Sequence, residues 1–198
     1  QRLVKRVFDL LIGSVLMIFI LPVLSVVALA IKLDSNGPII FRQQRVGESG
    51  RLFGMYKFRS MIEGAEAMQE ELTIADEQGN LVYKREDDPR VTRIGRILRR
   101  TSLDELPQLI NVLKGDMSLV GPRPELPMMV GQYEPWQHKR FAVPQGMTGW
   151  WQINGRADKP LHLHTEDDIY YIQNYSLLMD IYILLKTPWV VMRGIGAY

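Results

Sequence analysis

The feature that most constrains this chain is a run of 22 residues, Leu10 to Ile31, without a single charged side chain. As a helix rising about 1.5 Å per residue, it just covers a bilayer core about 30 Å thick. The run is too long for the apolar centre of a signal peptide, and no small-residue cleavage site follows it. Two details set it apart from a plain span. Pro22 lies near its middle, where it removes a backbone donor and kinks a helix. Basic residues flank both ends, with Arg2, Lys5 and Arg6 before and Lys32, Arg42 and Arg45 after. Positive flanks favour the cytoplasmic side. One expectation is therefore a re-entrant helix that breaks at Pro22 and returns to the face it entered. A single span with a proline kink, which membrane helices tolerate, is equally open on composition.

Residues 1–198 are expected to form a single domain with a real core, 1–34 inserted in the membrane and 35–198 globular and membrane-associated. A net charge of +2 points to no partner for the chain as a whole. The absence of cysteine excludes disulfides and thiolate zinc sites. His138, His162 and His164 are too scattered for a metal cage, and His162 and His164 read as surface residues.

The fold expected is α/β, mostly α with a small β-hairpin. Ile39–Phe41 and Leu52–Phe58 read as strands joined through the Gly47-Glu48-Ser49-Gly50 turn. Ser60 to Leu72 reads as a helix, and Ala75 to Tyr83 as a polar surface insert turning at Gly79-Asn80. From Arg90 to Arg100 there are five arginines and no acid. Val91, Ile94 and Ile97-Leu98 alternate with them at helical spacing, giving one apolar and one basic face suited to an anionic membrane surface or to phosphate. Residues 115–129 hold Pro122, Pro124 and Pro127 and read as a stiff loop. Ile169 to Val191 reads as core-packing and interfacial helices rich in Tyr and Trp.

The chemically suggestive stretch is Ser102-Leu103-Asp104-Glu105-Leu106-Pro107. Its bland reading is a capping box in which Glu105 reaches back to Ser102; alternatively Pro107 opens the helix. In either register both carboxylates lie near a helix N-terminus, which favours anions. Its sharper reading is chemistry. A carboxylate held among arginines can serve as a nucleophile in phosphoryl transfer or as a Mg²⁺ ligand.

Seven motifs occur in order across nearly the whole chain: Lys5-Arg6-Val7-Phe8-Asp9, Phe41-Arg42-Gln43-Gln44-Arg45-Val46-Gly47, Lys57-Phe58-Arg59-Ser60-Met61, Asp88-Pro89-Arg90, Thr101 to Leu109, Gly115 to Pro124 and Gln152-Ile153-Asn154-Gly155-Arg156. Together they resemble the bacterial sugar transferase family, the monotopic polyprenyl-phosphate phosphoglycosyl transferases. The resemblance implies Mg²⁺-dependent transfer of a sugar-1-phosphate from a UDP-sugar to undecaprenyl phosphate, with UMP released. This is the first membrane step of exopolysaccharide, capsule or O-antigen assembly, on the cytoplasmic face of the bacterial inner membrane. It implies a ping-pong route with Asp104 as nucleophile and Glu105 as its partner, both available to the metal. Arg99, Arg123, Arg156, Lys57 and Arg59 would bind phosphate or nucleotide, and Pro22 would break the membrane helix. Glucose or galactose would fit the larger members, which also suggest a homodimer. Those members carry further N-terminal membrane helices, so Gln1 is expected to be a cut within a longer chain. Small members have Ser-Pro at the helix break, whereas Leu21 precedes Pro22 here. The competing readings are direct transfer without a covalent intermediate and a lipid-binding scaffold using Arg90 to Arg100. The membrane segment argues against a nucleic-acid partner.

Overall fold

The computed structural model describes residues 1–65, 74–75, 81–82, 88–155 and 165–193. The apolar run lies in one helix, α1 (Arg2–Asp34). Its length and composition suffice to cross a membrane. Helical backbone continues through Pro22, so the expected break is not an interruption of the helix.

One stripe of α1 meets the rest of the chain along its whole length. Lys5, Asp9, Gly13, Val27 and Ile31 are buried, and Met17, Ile20, Leu24 and Ala28 pack on the core between them. These positions recur every three to four residues, which is one helix face. The N-terminal end is tied by polar contacts. Lys5 Nζ lies 2.6 Å from Asp180, Arg6 donates to the Val112 and Leu113 carbonyls, and Asp9 accepts the Leu119 N–H. At the other end Asp34 accepts the Ile94 N–H at 3.1 Å. The remaining faces expose large apolar side chains, among them Leu11, Ile18, Phe19, Val26 and Leu33.

The hairpin forms as expected, and its strands are longer than Ile39–Phe41 alone suggested. Strands β1 (Ile40–Val46) and β2 (Leu52–Phe58) pair antiparallel. Two short strands, β3 (Ile74–Ala75) and β4 (Leu81–Val82), also pair antiparallel. Residues 60–65 carry a bridge and a turn instead of the start of the expected Ser60–Leu72 helix. The bridge is Met61 to Val91, and a strand-like pairing claims backbone groups that a helix would need. The rest of that helix, the turn at Gly79-Asn80, and Arg156, His162 and His164 lie outside the described residues.

Helix α2 (Arg93–Thr101) is the expected basic helix. The Thr92 hydroxyl caps it by accepting the Gly95 N–H. Gly95 is required by close approach, since a Cβ there would stand 1.9 Å from the Ser60 carbonyl oxygen. Leu98 is buried, but Ile97 is 56% exposed beside Arg93, Arg96 and Arg100. Arg90 does not join this face; it is buried and paired to Asp88 at 2.7 Å.

Helix α3 (Gln108–Lys114) follows Pro107 directly and ends at Gly115 in the left-handed region. The stretch expected to be only loop contains β5 (Ser118–Val120) and α4 (Pro127–Val130). Strand β5 runs parallel to β6 (Gly146–Thr148). Then come α5 (Trp150–Ile153), α6 (Glu166–Gln173) and α7 (Leu177–Met192). The main core joins Phe53 and Met55 of β2, Leu109 and Val112 of α3, Val120, Tyr171 and Ile183. A cavity left by Leu109→Ala there costs roughly 2–5 kcal/mol. A smaller cluster of Val27, Ile31, Phe58 and Leu98 pins the end of α1 to α2 and the hairpin.

Candidate functional site

Asp104 and Glu105 sit in a single 3₁₀ turn, Leu103–Glu105, between α2 and α3. The turn exists because Ser102 adopts a left-handed backbone (φ 56°) that ends α2 abruptly. The capping box is not formed. The Ser102 N–H goes to the Arg99 carbonyl, and the Glu105 carboxylate faces Lys57 and Arg123. The register that starts the helix after Pro107 is the one observed.

Three other parts of the chain converge on this turn. Strand β2 supplies Lys57, whose Nζ lies 2.9 Å from Glu105 Oε1. The loop after β5 supplies Arg123, which forks onto both Glu105 oxygens through Nη2 and through Nη1 at 3.2 Å. Such two-point pairs fix orientation as well as charge. Helix α2 supplies Arg99, whose Nε donates to Ser60 Oγ at 3.0 Å and whose charge acts on Asp104.

The two adjacent carboxylates are thereby made unlike. Burial works to raise the Glu105 carboxyl, but Arg123 and Lys57 outweigh it and hold it well below the ordinary carboxylate range. Asp104 is 9% exposed, and among the described residues no side chain hydrogen-bonds to it. Its burial pushes its carboxyl up, against the pull of Lys57, Arg99 and Arg123. Burial likewise lowers Lys57 and Arg99, each offset by its carboxylate neighbour. Among the described residues the arrangement presents one locked carboxylate beside one without a side-chain hydrogen bond, both within a cationic shell. Chemically it can receive a phosphate and bring a carboxylate oxygen to it.

Arg59, expected among the phosphate ligands, is elsewhere. It is buried and donates to the Ser35 and Asn36 carbonyls and to Ser35 Oγ. Its neighbour by two, Lys57, shares its strand-face alternation, but the strand ends at Phe58 and Arg59 turns to close the end of α1. Arg156 lies outside the described residues. Two residues without an assigned role do belong here. Arg45 on β1 pairs with Glu125 at 3.3 Å, donates to the Pro124 carbonyl and to Gln43, and acts electrostatically on Arg123 and Glu105. Burial lowers Arg45 to about 10. The sequence signal for Arg45 was its place in the motif Phe41 to Gly47; Glu125 lies just outside a motif, directly after Pro124.

A divalent cation suits this donor set in part. Among the described residues no three of His, Asp and Glu converge. Mg²⁺ accepts one or two carboxylates plus substrate oxygens. Asp104 offers unengaged oxygens. Glu105 has spent three of its roughly four acceptor positions on Lys57 and Arg123, leaving room for one more contact.

Comparison with known proteins agrees with the motifs. Residues 1–194 match the family model described as bacterial sugar transferase. The chain is 43% identical to the undecaprenyl-phosphate galactose phosphotransferase of Salmonella typhimurium, covering 100% of this chain and 42% of that protein. It is 42% identical to the UDP-glucose:undecaprenyl-phosphate glucose-1-phosphate transferase of Escherichia coli, again over 100% of this chain and 42% of the relative. Against the exopolysaccharide production protein ExoY of Sinorhizobium fredii it is 38% identical, over 98% of this chain and 88% of that protein. The chain thus spans about two fifths of the length of several relatives it matches, including the first two. The family model over residues 1–194 and these matches show that this chain belongs to the bacterial sugar transferase family.

Proposed function

We propose that this chain is the catalytic region of an undecaprenyl-phosphate sugar phosphotransferase. It takes a hexose-1-phosphate, glucose or galactose, from a UDP-sugar and hands it to undecaprenyl phosphate in a first step of surface polysaccharide synthesis. The observation that carries this reading is the asymmetry of the dyad: Glu105 is locked by Lys57 and Arg123, while Asp104 is buried and no side chain among the described residues hydrogen-bonds to it.

In the first step an Asp104 oxygen attacks the β-phosphorus of the UDP-sugar. The bond between that phosphorus and the bridging oxygen breaks, and UMP leaves with the electron pair. In the second step an oxygen of undecaprenyl phosphate attacks the same phosphorus and Asp104 leaves as carboxylate. Arg99, Arg123 and Lys57 surround the phosphates, and preorganised charge of this kind is the main resource for phosphoryl transfer. Glu105 keeps Arg123 and Lys57 in place. Mg²⁺, held by Asp104 and the remaining acceptor position of Glu105, would neutralise pyrophosphate charge.

The lipid acceptor requires the site to lie at a membrane. The apolar faces of α1 support its insertion. Both of its ends are fastened to the same domain, through Lys5 to Asp180 and through Asp34 to Ile94. A helix so fastened enters and leaves on one face, the cytoplasmic face of the inner membrane, with Pro22 as its bend. A homodimer belongs to the same proposal.

The test is UMP release from a panel of UDP-sugars with undecaprenyl phosphate and Mg²⁺. Release with one UDP-hexose, together with labelled phosphosugar on the wild type and none on Asp104→Asn, supports the reading. Full activity of Asp104→Asn sinks it. UMP release without the lipid separates the covalent route from direct transfer.

A further inference from the structure

The loop of residues 121–126 carries Arg123 to Glu105; β6 holds its start through the Gly121 N–H and the Pro122 carbonyl, and two further braces flank Arg123. On one side β1 holds it: the Val46 N–H donates to the Glu125 carbonyl at 2.9 Å, and Arg45 reaches Pro124 and Glu125. On the other side Arg140 Nη2 donates to the Arg123 carbonyl at 2.7 Å.

Arg140 is 0% exposed. Its charge is met by Asp168, 2.6 Å away in the first turn of α6. Its other arm reaches the Tyr133 hydroxyl, and the guanidinium lies 5.6 Å from the ring centres of both Tyr133 and Phe141. A buried ion pair of this kind adds little stability over apolar residues of the same volume. Apolar residues would fill the space, but they could not donate to the Arg123 carbonyl. The chemistry proposed above makes no use of Arg140, yet one of its hydrogen bonds ends on the backbone of the residue whose side chain locks Glu105.

We infer that Arg140, held by Asp168 and Tyr133, is a positioning residue for phosphosugar transfer: it fixes the backbone at Arg123 so that the guanidinium fork closes on Glu105. The inference rests on the function proposed above. Arg123 is then anchored at both ends, by its carbonyl and by its guanidinium. Releasing the carbonyl lets the fork wander, and displacements near 1 Å in such sites cost on the order of 10²-fold in rate.

The experiment compares wild type, Arg140→Met/Asp168→Leu and Tyr133→Phe in single-turnover UMP release from the active UDP-sugar without lipid. Amplitude counts folded enzyme; the rate constant reports positioning. The double variant keeps the buried volume apolar and is expected to retain amplitude while its rate constant falls roughly 10- to 100-fold. Tyr133→Phe, which keeps the ion pair, is expected to slow about threefold. An unchanged rate constant in the variants that retain amplitude overturns the inference, and if the double variant does not fold, Tyr133→Phe decides. A purely structural pair would lower amplitude alone. Side-chain ¹⁵N spectra read the fork without turnover: the Arg123 Nε–H signal, assigned through Arg123→Lys, is sharp in wild type and broadened in Tyr133→Phe. An unchanged signal overturns the inference even if wild type releases no UMP, a result that would instead defeat the proposed function.

Discussion

Along α1, Ile18 and Phe19 are 71% and 75% exposed, while around Asp104 a group of charged side chains is largely withdrawn from water. Each region breaks an ordinary rule of a soluble fold. An exposed apolar helix face this long is an interaction surface or a liability. A withdrawn charge is costly unless a partner compensates it. The two faults have different remedies. The first is relieved by a solvent of hydrocarbon, the second by opposite charge brought close. For α1 the proposed remedy lies outside the protein, in the membrane; at Glu105 it lies inside, in Arg123 and Lys57. At Asp104 the remedy is incomplete, and the nucleophilic role proposed for it draws on that incompleteness.

The largest expected effect comes from removing the incomplete charge. Asp104→Asn should cut UMP release on the order of 10⁴-fold or more and abolish phosphosugar labelling. It should also stabilise the protein. The folded state holds the Asp104 proton more tightly than the unfolded chain does. Stability therefore falls as pH rises from the ordinary value of 3.8 through the raised folded value, and stays lower above it. Asn removes that cost, so melting in detergent at pH 7 should rise by about 2–4 °C. A lower melting temperature would mean that Asp104 is compensated after all.

Charging the other region should be nearly as severe, by a different route. Ile18→Lys with Phe19→Lys places two cations on exposed helix faces where each costs roughly 2.5–3.5 kcal/mol in lipid. The expected result is protein released from the membrane fraction, with its circular dichroism kept and turnover with undecaprenyl phosphate reduced about 10²-fold or more. Unchanged membrane retention would break the comparison. Arg123→Lys keeps the charge but loses the fork, and should cost about 10²-fold in kcat.

Acid should act through Asp104. The proposed reaction needs its carboxylate, whose pKa is raised above 3.8 by burial. The rate constant for UMP release should therefore fall about tenfold per pH unit on the acid side, with a midpoint above 3.8. A midpoint below 3.8 would contradict the burial argument. The smallest effect on activity should come from Arg59→Lys. Loss of the bonds to Ser35 and Asn36 should lower the melting temperature by about 5 °C, while kcat stays within about twofold. A large fall in kcat would return Arg59 to the site.

The local elements were legible where one pattern ruled. The hairpin strands flanked the Gly47-Glu48-Ser49-Gly50 turn, α2 had its 3.6-residue period, and α1 held an unbroken apolar run. The Ser60 region misled because helix-forming composition there competes with the Met61–Val91 bridge, a partner 30 positions away. The β5–β6 pair was hidden for the same reason, since its strands are three residues each and lie far apart in the chain. In the site, Asp104, Glu105, Arg99, Arg123 and Lys57 were legible through motifs. Arg59 was equally well placed in sequence, yet it turned to α1.

What the sequence by itself determined is the chemical stock: an uncharged apolar run long enough to cross a bilayer, two adjacent carboxylates and a surplus of arginine nearby. These follow from composition and short-range periodicity, which act between neighbours in the chain. Only the tertiary structure decided which carboxylate is locked and which is left unengaged, and which arginine serves the site, the core or the end of α1. Asp104 and Glu105 are alike until Lys57, 48 positions before Glu105, and Arg123, 18 after it, select one of them. That selection depends on distance and burial, which exist only once distant segments pack together.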